Sequence, residues 1–206
     1  GLTLFDYDDD GDLDLFQGND HQENFLFRND GDLKFSEVGR ESGLAVNSQG
    51  VPTGSMHGSI GDVNGDGLID LLVVDLRYGA LYKNTGKRIF EDITESSGIR
   101  ASFSGKGAWG AAFFDFDNDG DLDIFSANGL AEELVEQPPL LLENDGTGYF
   151  RDVGKKTSDY FADVRSGRGA AVWDFDNDGD LDIIVSHIDL RATAALLRRS
   201  EERRVG

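Results

Sequence analysis

DFDNDGDLD at residues 115–123 is the segment from which the architecture of this chain can be deduced, because close copies of it occur three more times. The copies are DYDDDGDLD at 6–14, DVNGDGLID at 62–70 and DFDNDGDLD at 174–182. Their first residues lie 56, 53 and 59 positions apart, so the chain consists of four units of similar length. Self-similarity at such a period indicates an array of one repeated structural module.

Short apolar runs before and after each acidic segment are typical of β-strands. In the second unit, GSMHGSI precedes the acidic segment, and IDLLVVDL, ALYKNTG and RIFEDIT follow it. The turns NDGDL, NTGKR and NDGTG carry the Asn, Asp and Gly that tight hairpins require for positive φ. We therefore predict an all-β fold in which each unit is a four-stranded antiparallel blade of a β-propeller.

The pattern predicts about three complete blades and a truncated fourth, as part of a larger propeller. The blades span approximately residues 1–45, 54–98, 107–156 and 167–198. The Gly- and Ser-rich stretches at 43–55 and 98–107 are predicted to be links between units. AEELVEQ at 131–137 is the best helical pattern and is expected to form a surface excursion. RSEERRVG at 199–206 does not continue the repeat, and we predict that it is a non-native tail.

Oxygen-bearing residues recur at fixed positions of each acidic segment, numbered from its first Asp. Side-chain oxygens stand at positions 1, 3, 5 and 9, a glycine stands at position 6, and the carbonyl of position 7 can add a backbone ligand. Calcium takes six to eight hard oxygens in flexible geometry, so the spacing predicts one calcium site per segment. The predicted ligands are Asp6, Asp8, Asp10, Asp12 and Asp14; Asp62, Asn64, Asp66, Leu68 and Asp70; Asp115, Asp117, Asp119, Asp121 and Asp123; and Asp174, Asp176, Asp178, Asp180 and Asp182.

Three other interpretations of these segments fit the sequence less well. Asp-Asn-Gly runs also form ordinary turns, but four of them in one register are hard to explain in that way. An EF-hand needs a glutamate at position 12 and flanking helices, whereas position 12 is Gln17, Val73, Ser126 and Val185 and the flanks are strand-like. Magnesium requires a small octahedral cage and retains its waters, so calcium fits the loops better.

The composition agrees with metal binding and excludes other classes of function. The formal net charge is −21, from 40 acidic and 19 basic residues, and a polyanion of this kind does not favour nucleic acid or anionic membranes. Nineteen of the acidic residues lie in the four acidic segments, and four calcium ions would change the formal charge from −21 to −13. The absence of cysteine excludes disulfides and zinc–thiolate sites.

Three segments carry a resemblance to a known family: LYKNTGKRIFEDITESSGI, GAWGAAFFDFDNDGDLDIFSANG and GRGAAVWDFDNDGDLDIIVSHIDLRATAALL. They resemble FG-GAP or VCBS repeats of integrin-α-like propellers, and most closely the propeller portion of ASPIC/UnbV proteins, the cartilage-acidic-protein-like group. The resemblance implies a calcium-loaded propeller, often seven-bladed, in an extracellular or periplasmic protein. It also implies adhesion or carbohydrate-related roles, with further blades and a C-terminal domain in the parent chain.

Function is predicted in three forms that the sequence leaves open. The favoured form is a calcium-stabilised adhesion or ligand-binding propeller, with a protein or carbohydrate ligand on its loops. The alternatives are a scaffold for another domain, and part of an enzyme that acts on polysaccharide as a lyase or hydrolase. The chain contains no nucleophile elbow, P-loop or HExxH motif, so we expect no enzymatic activity. Trp109 and Trp173 are expected to pack between blades or, less readily, to stack on sugars.

Overall fold

The computed structural model describes residues 1–130, 135–188 and 194–198. The described residues form seventeen strands, three short α-helices and one 3₁₀ turn at Asp159–Ala162. The helices are α1 (Gly39–Ser42), α2 (Ile99–Phe103) and α3 (Gly154–Thr157). The strands are β1 (Leu2–Phe5), β2 (Asp14–Gln17), β3 (Asp20–Gln22), β4 (Phe25–Asn29), β5 (Phe35–Glu37), β6 (Thr53–Gly61), β7 (Asp70–Asp75), β8 (Gly79–Asn84), β9 (Phe90–Asp92), β10 (Ala108–Phe114), β11 (Asp123–Leu130), β12 (Val135–Glu136), β13 (Leu140–Asn144), β14 (Phe150–Asp152), β15 (Gly167–Trp173), β16 (Asp182–His187) and β17 (Ala194–Leu197).

The strands form four antiparallel sheets, one for each repeated unit. Blade 1 has the order β1-β2-β4-β5, and blade 2 the order β6-β7-β8-β9 with β3 added beside β6. Blade 3 has the order β10-β11-β13-β14, with β12 paired to β11, and blade 4 has the order β15-β16-β17 within the described residues. The predicted all-β, propeller-like fold is therefore confirmed.

Each acidic loop joins the first strand of its blade to the second. The residue before the loop pairs with the aspartate at position 9, so all four loops close in the same register. The pairs are Phe5 with Asp14, Gly61 with Asp70, Phe114 with Asp123, and Trp173 with Asp182. The repeat therefore places every acidic loop at the same end of its blade.

The hydrophobic core lies between the blades. Alternate residues of a strand point to opposite faces of its sheet. In β7, Leu71 and Val73 are buried against blade 1, whereas Leu72 and Val74 are buried against blade 3. A fully buried aliphatic side chain contributes about 1.5–3 kcal/mol to folding, so the stability of each blade depends on its neighbours.

The first strands of neighbouring blades, β1, β6, β10 and β15, lie against one another. Thr3 Oγ1 of blade 1 donates a hydrogen bond to the Gly58 carbonyl of blade 2 at 3.0 Å. A Cβ atom at Gly110 of blade 3 would lie 2.6 Å from the Ala170 nitrogen of blade 4. Contacts this close require small residues, which explains the glycine-rich sequences of these strands.

The fourth strand of a blade packs an aromatic side chain on the preceding blade. Phe90 of blade 2 meets Phe5 of blade 1 edge to face, with ring centroids 6.2 Å apart. Phe150 of blade 3 is 2% exposed within the core between blades 2 and 3. Phe35, the equivalent residue of blade 1, is 50% exposed, because no described blade covers it.

The structure corrects two expectations about helices. The predicted link at 98–107 contains α2, whose Ile99 and Phe103 are fully buried. These apolar residues cover the end of the core between blades 2 and 3, and the Phe103 ring fills the space beside Gly79. Within the predicted helical stretch 131–137, Val135–Glu136 is a strand that pairs with the end of β11, because extended backbone there completes a hairpin. Residues 131–134 and the predicted tail 199–206 lie outside the described residues.

Truncating Phe103 to alanine should destabilise the protein by about 3–5 kcal/mol, because it opens a cavity in a fully enclosed position. Phe35→Ala removes the same side chain from a half-exposed position and should change stability by less than about 1 kcal/mol. Urea denaturation of both variants checks this prediction. Equal destabilisation by the two substitutions would contradict the position of the core.

Candidate metal centres in the acidic loops

The first aspartate of each acidic loop folds the backbone around its own carboxylate. In loop 1 (residues 6–14), Asp6 accepts hydrogen bonds from the backbone N–H groups of Asp10 at 3.1 Å and Gly11 at 2.8 Å. The same two bonds recur in loop 2 (62–70), loop 3 (115–123) and loop 4 (174–182). Position 1 therefore fixes the turn that brings positions 3 and 5 back towards it.

Two residues of each loop adopt a left-handed backbone conformation. The glycine at position 6 is one of them, with a φ of +93° at Gly11. Position 4 is also left-handed, a feature that the sequence analysis missed. Its φ lies between 59° and 69° at Asp9, Gly65, Asn118 and Asn177. Gly, Asn and Asp are the residue types that tolerate this conformation, so the choice of residue at position 4 was the available signal.

The aspartate at position 9 is buried at the start of the second strand. Asp70 Oδ2 accepts the N–H of Val63 at 3.1 Å, and its Oδ1 accepts the N–H of Asn84 at 2.8 Å. Asp123 is held in the same way by Phe116 and Asn144. Burial raises the pKa of Asp70 and of Asp123 to about 6, although the backbone N–H groups oppose that shift.

The residue at position 3 points into the loop and has buried polar atoms without hydrogen-bond partners. The Asp8 side chain is fully buried, and neither of its carboxylate oxygens makes a hydrogen bond. One carboxylate oxygen of Asp117 and one of Asp176 are also buried without a hydrogen bond. Burial also raises the pKa of Asp8 and of Asp117. Buried oxygens of this kind are costly unless a cation satisfies them.

Three loops bring three carboxylates to within 4.8 Å of one another. Loop 1 does so with positions 1, 3 and 5, whereas loops 3 and 4 do so with positions 1, 3 and 9. Loop 2 forms no three-acid group among the described residues, because Asn64 occupies its position 3. The position 5 side chains each accept the N–H of position 7, as Asp119 does from Asp121 at 2.9 Å. The assignment of all these residues as metal ligands stays a prediction.

Basic side chains approach the acids of three loops. Lys83 Nζ lies 3.1 Å from Asp66 Oδ2 in loop 2, and Arg198 pairs with Asp176 in loop 4. Arg88 of blade 2 lies 3.2 Å from Asp8 of loop 1. Loop 3 has no such pair within the described part of the chain. The residue that corresponds to Lys83 and Arg198 in blade 3 is Glu143, which adds negative charge near Asp117.

The asparagine that ends the third strand also shapes the loops, and the sequence analysis assigned it only to a turn. Its backbone N–H donates a hydrogen bond to the carboxylate of the position 9 aspartate in the first three blades. Asn144 Nδ2 additionally donates to the Leu122 carbonyl at 3.0 Å and to the Val63 carbonyl of loop 2 at 2.8 Å. Its recurrence as Asn29, Asn84 and Asn144 was the signal for this role.

A second group of candidate functional side chains lies at the end of the first strands that is farther from the acidic loops. β6, β10 and β15 each shift register near their beginning, between 55 and 57, 108 and 110, and 167 and 170. The corresponding residues there are Met56, Trp109 and Arg168. The Arg168 guanidinium stacks 4.5 Å from the centroid of a Trp109 ring. Register shifts of this kind reorient side chains and are common beside binding sites.

Among the described residues, no helix is long and apolar enough to span a bilayer.

Comparisons with known proteins agree with the repeat architecture. The family described as FG-GAP-like repeat matches residues 6–73 and 62–126. Cartilage acidic protein 1 of Xenopus tropicalis and that of Homo sapiens are each 30% identical to this chain over 84% of its length. The chain spans 26% of the length of each of these relatives.

A solved structure shares the fold. It is a lectin of Agrocybe aegerita that recognises non-reducing terminal N-acetylglucosamine, and it superposes with a TM-score of 0.50 at 22% identity. The match covers 89% of this chain and 45% of the lectin chain.

Without metal, the free energy of unfolding should rise by about 2 kcal/mol as the pH falls from 7.5 to 5. The pKa of Asp70 and of Asp123 is about 6 in the folded protein, against an ordinary value of 3.8. A raised carboxyl pKa contributes stability that is complete below the ordinary value and is lost as the pH rises through 6. Urea denaturation in chelator at several pH values measures the effect.

The double variant Asp70→Asn and Asp123→Asn is the control for this pH dependence. It should lose most of the stabilisation at pH 5, because neither amide titrates. An identical pH profile for the variant and the parent protein would show that these two carboxyls are not its source.

Proposed function

This chain belongs to the family of FG-GAP-like repeat proteins, and from that premise we propose that it is a calcium-binding propeller module of an exported protein. In this proposal, one ion per acidic loop stabilises the blades, and the ordered blades present a surface for adhesion or ligand binding. In the scaffold form of this proposal, the calcium-stabilised blades present another domain and bind no ligand themselves.

Buried side-chain oxygens at position 3 that make no hydrogen bond are the observation that supports calcium binding most directly. Asp8, Asp117 and Asp176 each point a buried carboxylate oxygen without a hydrogen bond into a loop where two more carboxylates converge. Carboxylates this close repel one another strongly in a partly desolvated setting. A bound divalent cation would reverse that repulsion and satisfy the unpartnered oxygens.

The donor set fits calcium better than other metals. All of the side-chain donors in the loops are oxygens, and the chain has no cysteine. Calcium accepts six to eight oxygens at 2.3–2.6 Å, whereas zinc favours nitrogen and sulfur ligands. In each loop, positions 1, 3, 5 and 9 and the carbonyl of position 7 would hold the ion. Bound calcium supplies positive charge to the loop.

Export and ligand binding are proposed on two further grounds. Weak calcium sites are suited to extracellular fluid, where calcium is millimolar. The stacked Trp109 and Arg168 lie at the end of the blades away from the acidic loops. Aromatic and guanidinium groups together are suited to carbohydrate or protein ligands. The lectin with the same fold recognises a sugar, and a glycan is the ligand class that we test first.

Calorimetric titration with calcium should show about four ions per chain, and the melting temperature should be higher in calcium than in chelator. Asp117→Asn should remove or weaken one site, because it neutralises an acid that points into loop 3. Asp32→Asn removes the same charge from an exposed turn and should leave the stoichiometry unchanged. Absence of binding, with equal melting in both buffers, would refute the calcium proposal.

A glycan array probed in calcium should show binding that Trp109→Ala abolishes. Trp173→Ala removes a tryptophan that is 38% exposed and lies next to loop 4, and it should leave that binding intact. Circular dichroism of both variants checks that they are folded. Incubation with the bound polysaccharides tests the alternative function, since release of new chain ends would identify a lyase or hydrolase.

A further inference from the structure

Arg88 of blade 2 reaches loop 1 of blade 1, and we propose that it is a built-in cation that competes with calcium for the Asp8 carboxylate. The proposal rests on calcium binding by the loops and describes how one of the four sites is tuned. It makes the calcium affinity of loop 1 lower than that of the same loop without the Arg88 charge.

The surroundings of Asp8 carry the inference. The Asp8 side chain is fully buried, and neither of its oxygens makes a hydrogen bond. Among the described residues, the cation that pairs with it is the Arg88 guanidinium, whose Nη2 lies 3.2 Å from Asp8 Oδ2. The Arg88 side chain is 55% exposed, so it approaches the buried carboxylate from the solvent side. An ion entering loop 1 must share Asp8 with this group or displace it.

The equivalent contact in the next pair of blades shows that the position of Arg88 is part of the repeat. Gly148 occupies the same place in the hairpin of blade 3, and a Cβ there would lie 3.7 Å from the Cβ of Asn64. The hairpins of blades 2 and 3 therefore cover position 3 of the loops of blades 1 and 2. They present an arginine to the acidic Asp8 and a glycine to the neutral Asn64.

The left-handed backbone of Arg88 is a property of the hairpin turn. Its φ is +60°, and that of Gly148 is +82°, so both lie in the left-handed region. Glycine adopts this conformation without strain, whereas arginine does so at a cost. Leu33, the equivalent residue of blade 1, has a φ of +58° and carries no charge, so the turn adopts this conformation without an ion pair. The role of Arg88 therefore rests on its contact with Asp8.

The Arg88 charge weakens calcium binding to loop 1, but it stabilises the same loop when calcium is absent. A guanidinium beside Asp8 repels an incoming calcium ion and lowers the affinity of loop 1. In the absence of calcium, the same guanidinium offsets the charge of a buried carboxylate and holds the blade 2 hairpin against loop 1. Loop 3 provides the contrast, since Glu143 adds an acid near Asp117.

Terbium luminescence can observe loop 1 separately from the other loops. Tyr7 lies inside loop 1, whereas the same position in the other loops is Val63, Phe116 or Phe175. Excitation of tyrosine therefore favours terbium bound in loop 1, and a Trp173→Phe background removes the tryptophan next to loop 4. Tyr149 lies near loop 2, so the Tyr7→Phe variant is needed to isolate the loop 1 signal. Calcium is then measured by its displacement of terbium, and Tyr7→Phe identifies the signal that comes from this loop.

Arg88→Gln should bind calcium at loop 1 about three- to tenfold more tightly than the parent chain. In chelator, the same variant should melt at a temperature about 2–5 °C lower, because Asp8 loses its partner. Arg88→Lys keeps the charge and should remain close to the parent in both measurements. Lys87→Gln removes a neighbouring exposed charge from the same turn and should change loop 1 affinity less than twofold.

The possible results separate this inference from the proposed function. If the parent chain binds neither terbium nor calcium, the proposed function fails, and the inference fails with it. If calcium binds but Arg88→Gln leaves loop 1 affinity unchanged, or Lys87→Gln raises it equally, the inference alone is overturned. In an Asp8→Asn background, Arg88→Gln should have little effect on affinity, and a full effect there would also overturn it.

Discussion

Repulsion among carboxylates at one end of each blade is the constraint on which the rest of the structure depends. The loops offset part of it locally, since backbone N–H groups donate to the aspartates at positions 1, 5 and 9. Basic side chains offset a further part at loops 1, 2 and 4. At position 3, both oxygens of Asp8 and one oxygen each of Asp117 and Asp176 are buried without hydrogen bonds, which is costly for carboxylates.

The acidic loops and the hydrophobic core meet at the same interfaces, so the conformation of the loops and the packing of the blades are physically connected. Asn144 of blade 3 donates to a carbonyl of loop 2, and Asn118 of loop 3 donates to Asp180 of loop 4 at 2.8 Å. Val63, which lies within loop 2, is also part of the core between blades 2 and 3. A change in the conformation of one loop therefore alters its hydrogen bonds and packing contacts with the neighbouring blade.

The sequence predicted the strands and the loops because both follow from local rules. Short apolar runs indicate strands, and the spacing of Asp and Gly identifies the acidic loops. Features that arise between distant residues had no comparable signal. Asn144 and Val63 are 81 positions apart, and Arg88 meets Asp8 only because two blades stack. The helix α2 was missed for the same reason, since Phe103 owes its conformation to the core that it covers rather than to helix propensity.

The two-faced packing of the blades has a consequence for how such a protein can change over evolutionary time. The second strands of blades 2 and 3 direct alternate residues to the preceding and the following blade, so each of these repeats carries both halves of an interface. A gene segment that encodes one whole repeat can therefore be duplicated without leaving an unmatched face between its neighbours. Loss of half a repeat would instead damage two cores at once. The fold thus favours gain and loss of complete units, and sequence drift between units is limited by what each neighbour can accept.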